Sequence, residues 1–197
     1  ARARSLAGCG LTRGEEADRA GGDFSSRVRP LDGMWVHSRE GERLALGIVS
    51  IGLDARANIL ANESSLTYGA FAALASHTPT RVCATVDGHE GDMSGWIASV
   101  SNSGRFGGGI TLVGASNMSD GVLEVCHVGP LPLFRALPVL ASIVAGRAKN
   151  HPAVEVTSAT AVSFSEPAGV VAMADGDRIA TVPFTVEAAP GVVSVLV

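Results

Sequence analysis

The sequence predicts a mainly β fold with a few helices, arranged as a two-sheet β-sandwich. Three observations predict it. Short valine-rich segments recur from residue 44 to the end of the 197-residue chain. Gly, Asp and Pro separate them in the manner of tight turns. Only two stretches have helical rather than alternating spacing. An apolar fraction of 46% at this length supports a substantial core without disulfide staples.

Residues 1–22, ending in GLTRGEEADRAGG, are rich in charge, glycine and alanine and read as a short helix or linker. LALGIVSIG is apolar enough for one buried strand, ended by Gly52-Leu53-Asp54. RVCATVDG, GWIASVSN, GVLEVCHV, AVEVTSATAVSFS, GVVAMADGD, RIATVPFTVEA and VVSVLV continue the β pattern. The first helix is predicted over residues 65–77, with Leu66, Ala70, Ala73 and Leu74 on one stripe, Ser64 as N-cap and Pro79 beyond the end. The second, LPLFRALPVLASIVAG, places Leu133, Leu137, Leu140 and Val144 on one stripe. Pro132 stands near its first turn, Pro138 inside it and Gly146 at its end.

Net charge is −4, from 15 basic and 19 acidic residues with no run of five like charges, which argues against a nucleic-acid partner. Cys9, Cys83 and Cys126 are odd in number and far apart, so neither a disulfide framework nor a paired-cysteine zinc site is indicated. No apolar run approaches the roughly 20 residues that cross a bilayer. A soluble, cytoplasmic protein is expected, with membrane contact left open.

SNSGRFGGGITLVGASNMSDGVLEV, residues 101–125, concentrates glycine, but no GxxxxGK[ST] motif is present and the only lysine is Lys149. The glycines therefore read as a turn or a close backbone approach rather than a phosphate cradle. Asp120, before Gly121, follows Asn117 by three residues and precedes Val122 by two. A tight turn could aim its carboxylate and neighbouring oxygens at a hard cation; an ordinary turn before a strand uses the same pattern. Asp175-Gly176-Asp177 and Val86-Asp87-Gly88-His89 read as further acidic turns. His37, His77, His89, His127 and His151 have no partners at metal-ligand spacing. GxSxG is absent, and no cysteine has a base beside it in sequence.

The order of SIGLDA, TVDGHEG, SNSGRFGGGITL, ASNMSDGVLEV, VGPL, HPAVEV and ADGD resembles the C-terminal domain of the diacylglycerol kinase, sphingosine kinase and bacterial lipid kinase superfamily. It is most similar to the bacterial soluble diacylglycerol kinases, over residue 44 to the end. The resemblance implies a substrate-side β-sandwich like that of diacylglycerol and NAD kinases, following a nucleotide domain that carries a GGDGT motif. This chain has no GGDGT. The expected organisation is a tail of the nucleotide domain or linker at 1–22, the lipid-substrate sandwich at 23–187, and a strand at 188–197 returning to the nucleotide domain.

The resemblance implies an ATP-dependent lipid kinase, inactive without its nucleotide half, or a non-catalytic lipid-binding or regulatory protein that has lost that half. Asn117, Asp120 and Val122 match the family's structural Mg²⁺ site, the flanking residues contributing mostly backbone oxygens. Asp177 stands where the family has the glutamate of DGE, the base that deprotonates the lipid hydroxyl; here the motif reads DGD. The implied cofactors are Mg²⁺ and ATP, and the implied substrate is a lipid such as diacylglycerol. Peripheral contact with the inner membrane face follows, and a homodimer is compatible with the resemblance.

Overall fold

The computed structural model describes residues 28–63, 78–105, 117–145, 147 and 151–196. The chain divides into two compact units, Pro30–Val193 and a small one made of Ala1–Arg29 with Ser194–Val197. Among the described residues the elements run β1 (Val28–Ser38), β2 (Gly41–Ala45), β3 (Ile48–Gly52), α1 (Leu53–Glu63), β4 (Cys83–Val86), β5 (His89–Asp92), β6 (Ile97–Ser101) and β7 (Leu123–Val128). They continue with α2 (Leu133–Val144), β8 (Val154–Ala159), β9 (Ala161–Glu166), β10 (Val171–Ala174), β11 (Asp177–Thr181) and β12 (Phe184–Leu196). They form two six-stranded antiparallel sheets, ordered β2-β1-β12-β9-β4-β5 and β11-β10-β3-β6-β7-β8, so the predicted two-sheet β fold is observed.

Side-chain alternation builds the layers. In β7, Leu123 and Val125 enter the core shared with Met34, Val36, Val162, Phe164 and Phe184 of the first sheet. Cys126 and Val128 point the other way, into a second cluster with Ala136, Val139 and Ile143 of α2. β3 and β6 divide likewise: Val49, Ile51, Ala98 and Val100 join the first core, Ile48 and Ile97 the second. The second sheet is thus covered on both faces, which is why IVSIG and IASVS are buried along their whole length. In the first sheet Phe164 and Phe184 are register partners with ring centroids 5.0 Å apart, a pairing worth about 1 kcal/mol beyond area burial.

Several sequence expectations change. LALGIVSIG is not one strand: Ala45 ends β2, Leu46 and Gly47 bend, and Ile48 begins β3. β3 ends at Gly52, as expected, and the chain then enters α1. Gly52, at φ +99°, redirects it where a Cβ would lie 2.6 Å from the Trp96 carbonyl oxygen. β1 lies upstream of residue 44, where Arg29, Pro30, Asp32 and Gly33 mask the alternation of its later half. β5, HEGD, is exposed throughout and sits at a sheet edge, where charge rather than valine is tolerated. The helix expected over 65–77 lies outside the described residues.

α2 forms where expected, with Pro132 as N-cap residue and Pro138 inside. Its buried face differs. Ala136, Val139 and Ile143 are buried, whereas Leu133 and Leu137 are exposed. The helix is apolar on nearly every side, so leucine spacing does not select the packed face.

Candidate functional site

One end of the second sheet gathers two of the three acidic turns, the one bearing Asp120 and the one bearing Asp175 and Asp177. Ala174 lies opposite Asp177 and also opposite Val49, Ile48 opposite Ser101, and Ser101 opposite Glu124. The β10–β11 turn, the start of β3, the end of β6 and the loop entering β7 therefore share that end. β10, β3 and β6 stand between β11 and β7. Asp177 and the Asp120 loop are therefore separated by about 19 Å along the sheet at roughly 4.8 Å per strand. They occupy one rim without sharing one ligand position.

Asp175 and Gly176 both take positive φ, 50° and 93°, as a two-residue hairpin turn requires. Asp175 does not simply meet solvent. Its carboxylate accepts the backbone N–H groups of Leu46, Gly47 and Ile48 at 2.8, 3.0 and 3.3 Å, fastening the hairpin to the bend before β3. At Gly47 a Cβ would lie 2.6 Å from Asp175 Oδ1, so a larger residue there would displace the carboxylate from these bonds. Asp177, opening β11 opposite Ala174, is exposed. A fixed turn thus presents a carboxylate toward solvent.

On the other side of the rim, Asp120 accepts the Val122 N–H at 3.1 Å, closing a local turn. Asn117 and Asp120 are exposed and Val122 is half-buried. The loop is held from below by Asp32, which is 5% exposed. Asp32 accepts the Gly121 N–H at 2.7 Å and the Gly191 N–H at 2.8 Å, and its own N–H donates to the Met118 carbonyl at 2.8 Å. Ser119 donates to the Pro30 carbonyl at 3.2 Å.

Buried Asn102 joins the two halves. Its amide donates to the Asp32 carbonyl at 2.7 Å and to the Leu46 carbonyl at 3.1 Å. A continuous path therefore runs from the β10–β11 turn through Asp175, Leu46, Asn102 and Asp32 to the loop bearing Asp120. Sequence reasoning singled out Asp120 and Asp177 but missed Asp32 and Asn102. Their partners lie 89, 159, 70 and 56 positions away, and no local pattern announces such bonds.

The Asp120 loop fits a hard cation by its chemistry: a carboxylate beside backbone carbonyls, all oxygen donors, with room at the surface for the waters Mg²⁺ retains. Among the described residues, no cluster of three or more His, Cys, Asp or Glu could hold a metal. A site here would rest on one carboxylate and backbone oxygens. RFGGG, apart from Arg105, lies outside the described residues.

Other titratable groups have structural surroundings. Burial pushes the Cys126 thiol up to about 12, far from a reactive thiolate. Asp54, in the first turn of α1, is raised above 3.8 by burial, opposed by a hydrogen bond from Ser50. Asp87 is lowered by N–H donation from Ala161 and Thr160 and by the Thr160 hydroxyl, and so ties the β4–β5 turn to β9. His127 contacts the Ser94 carbonyl at 3.0 Å, and His37 contacts Glu42 at 3.2 Å. No described helix is long and apolar enough to cross a membrane.

With this geometry in view, residues 47–197 match the family described as the YegS C-terminal NAD kinase beta sandwich-like domain. The chain belongs to that family. Three solved structures share its fold, all from Bacillus anthracis strain Sterne. One described as a diacylglycerol kinase has 17% identity and a TM-score of 0.64, with 87% of this chain and 57% of that chain covered. Two described as putative diacylglycerol kinases have the same TM-score at 16% and 17% identity, covering 87% of this chain and 58% of theirs. The chain thus spans less than two thirds of the length of these structures. No curated protein is significantly similar to it in sequence.

Proposed function

We propose that this chain is the substrate-side domain of an ATP-dependent lipid kinase of the diacylglycerol kinase type. Family membership supports a kinase-like phosphotransferase. The observation that carries the finer reading is the rim itself, with exposed Asp177 on a turn immobilised by Asp175 and linked by hydrogen bonds to the Asp120 loop.

In this reading Asp177 orients the primary hydroxyl of a lipid such as diacylglycerol and accepts its proton as the oxygen attacks the γ-phosphorus of ATP. The new P–O bond forms as the bond to the leaving ADP breaks. Asp120, with backbone oxygens of Asn117 and Val122, would hold Mg²⁺, which supplies positive charge and draws the loop's oxygens together. The separation across the rim supports a role for those residues in shaping the site rather than in proton transfer. Positioning ATP falls to a nucleotide-binding half, so the 197-residue chain alone is expected to be inactive. The protein works in the cytoplasm against the inner membrane face, where its lipid resides.

A second reading, a non-catalytic lipid-binding or regulatory protein, is favoured by one feature: Asp177 is a methylene shorter than the glutamate expected there. An error of about 1 Å in placing a catalytic group can cost on the order of a hundredfold in rate.

The test is a substrate screen of the natural full-length protein with labelled ATP and diacylglycerol, sphingosine, ceramide or NAD. Label entering a lipid is the expected result. Label entering NAD alone contradicts the proposal, and label entering nothing favours the binding protein.

A further inference from the structure

α2 needs only one apolar stripe to fold, and it has one: Ala136, Val139 and Ile143, at 0, 1 and 4% exposure, pack with Trp96, Ile97, Cys126 and Val128 of the second sheet. The opposite side should then be polar. It is not. Leu133, Phe134 and Leu137 are 48, 70 and 43% exposed, and Pro138 and Ala141 extend the same surface. At 100° per residue these five fall within one arc of about 140°, facing away from the buried stripe.

Along the stretch of sequence that carries this ridge, the charges have one sign. Between Glu124 and Glu155 the sequence contains no acidic residue and three basic ones, Arg135, Arg147 and Lys149, in a chain whose net charge is −4. Arg135 directly follows Phe134, the most exposed aromatic ring among the described residues, with its guanidinium 5.7 Å from the ring centroid. Arg147 is exposed just past the helix end. An apolar ridge flanked by cations on an acidic protein complements a surface that is apolar within and anionic outside.

We infer that the outer face of α2 docks on an anionic lipid bilayer, with Leu133, Phe134 and Leu137 entering the acyl boundary and Arg135 and Arg147 meeting the headgroup phosphates. For its purpose this inference rests on the lipid-kinase reading, because an enzyme acting on a membrane lipid must hold its cleft against the bilayer. Docking itself requires neither ATP nor transfer and is measured without them.

The experiment is flotation of the full chain with phosphatidylcholine vesicles and with mixed phosphatidylcholine–phosphatidylglycerol vesicles. The chain is expected to float with the mixed vesicles. Phe134→Ser and Leu137→Ser should each weaken that binding about tenfold or more. Arg135→Glu should weaken it at least about fivefold on mixed vesicles, with little change on neutral ones. Phe134→Trp should keep binding and shift its fluorescence to the blue when vesicles are added. All three positions are exposed, and circular dichroism verifies folding.

Absence of binding by the parent chain, or equal binding by Phe134→Ser, overturns the inference. So does a dimer that Phe134→Ser dissociates while vesicles bind neither form, since a second copy would then cover the ridge. Phe134-dependent docking without phosphoryl transfer to any lipid leaves this inference standing and removes the kinase reading. Transfer to lipid with undiminished vesicle binding by Phe134→Ser does the reverse.

Discussion

Asp32 Oδ2 accepts the backbone N–H of Gly121 at 2.7 Å, immediately after the aspartate proposed to hold a metal. The same carboxylate accepts the Gly191 N–H through Oδ1 at 2.8 Å, and so joins the β7 entry loop to β12. Hydrogen bonds to a charged acceptor contribute about 1.5–3 kcal/mol each, and removing this acceptor deprives two N–H groups at once. Asp32→Ala is therefore expected to destabilise the fold by about 3 kcal/mol or more, read as a lower urea midpoint at unchanged slope. Asp32→Asn should recover part of the loss. Equal midpoints for Asp32→Ala and the parent would show that the loop stands without this anchor.

At the other end of the rim, Asp175→Ala removes the acceptor for three N–H groups. Because the residue is exposed, water replaces part of what is lost, and a cost of about 1 kcal/mol is expected. Faster amide exchange at Leu46, Gly47 and Ile48 is the specific signature. Unaltered exchange there would contradict the assignment of Asp175 as the clasp.

The proposed metal loop is tested by Asp120→Ala. Magnesium-dependent thermal stabilisation should disappear, because the loop's one carboxylate would be gone. Persistence of that stabilisation in the variant would place any ion elsewhere.

Two aspartates set opposite pH trends. Asp54 has a raised folded-state pKa, so its favourable contribution is complete below 3.8 and is lost as pH rises through the raised value. Asp54→Asn should remove that trend and make the protein more stable than the parent at neutral pH. Asp87 has a lowered value, so its contribution is present above 3.8 and is lost as pH falls through the folded-state value. Asp87→Asn should flatten stability at the acid end. Denaturation midpoints across an acid-to-neutral series measure both, and a parent-like pH profile in either variant would contradict the corresponding assignment.

The β fold was legible because valine alternation and Asp-Gly turns report local backbone preference directly. Asp87-Gly88 and Asp175-Gly176 supply the positive φ values that two-residue hairpins need. What remained hidden depended on distant partners. Asp32 precedes a glycine and suggests a turn, yet it sits inside β1 and bonds to Gly121 and Gly191. α1 was obscured because LDARANILANE lacks a sustained apolar stripe, and the sheet rather than its own periodicity accommodates Ala55. The packed face of α2 was ambiguous in sequence because apolar residues surround the helix. The surplus that hid the fold-facing stripe is the feature from which bilayer docking is inferred.

The central claim concerns Asp177, and phosphoryl transfer from ATP to diacylglycerol tests it most directly. In the natural full-length protein, Asp177→Ala should lower turnover by about 10² to 10⁴-fold, the range for losing a general base, while the unfolding transition stays that of the parent. Undiminished turnover in a folded Asp177→Ala protein would remove Asp177 from the chemistry and with it the proposed mechanism.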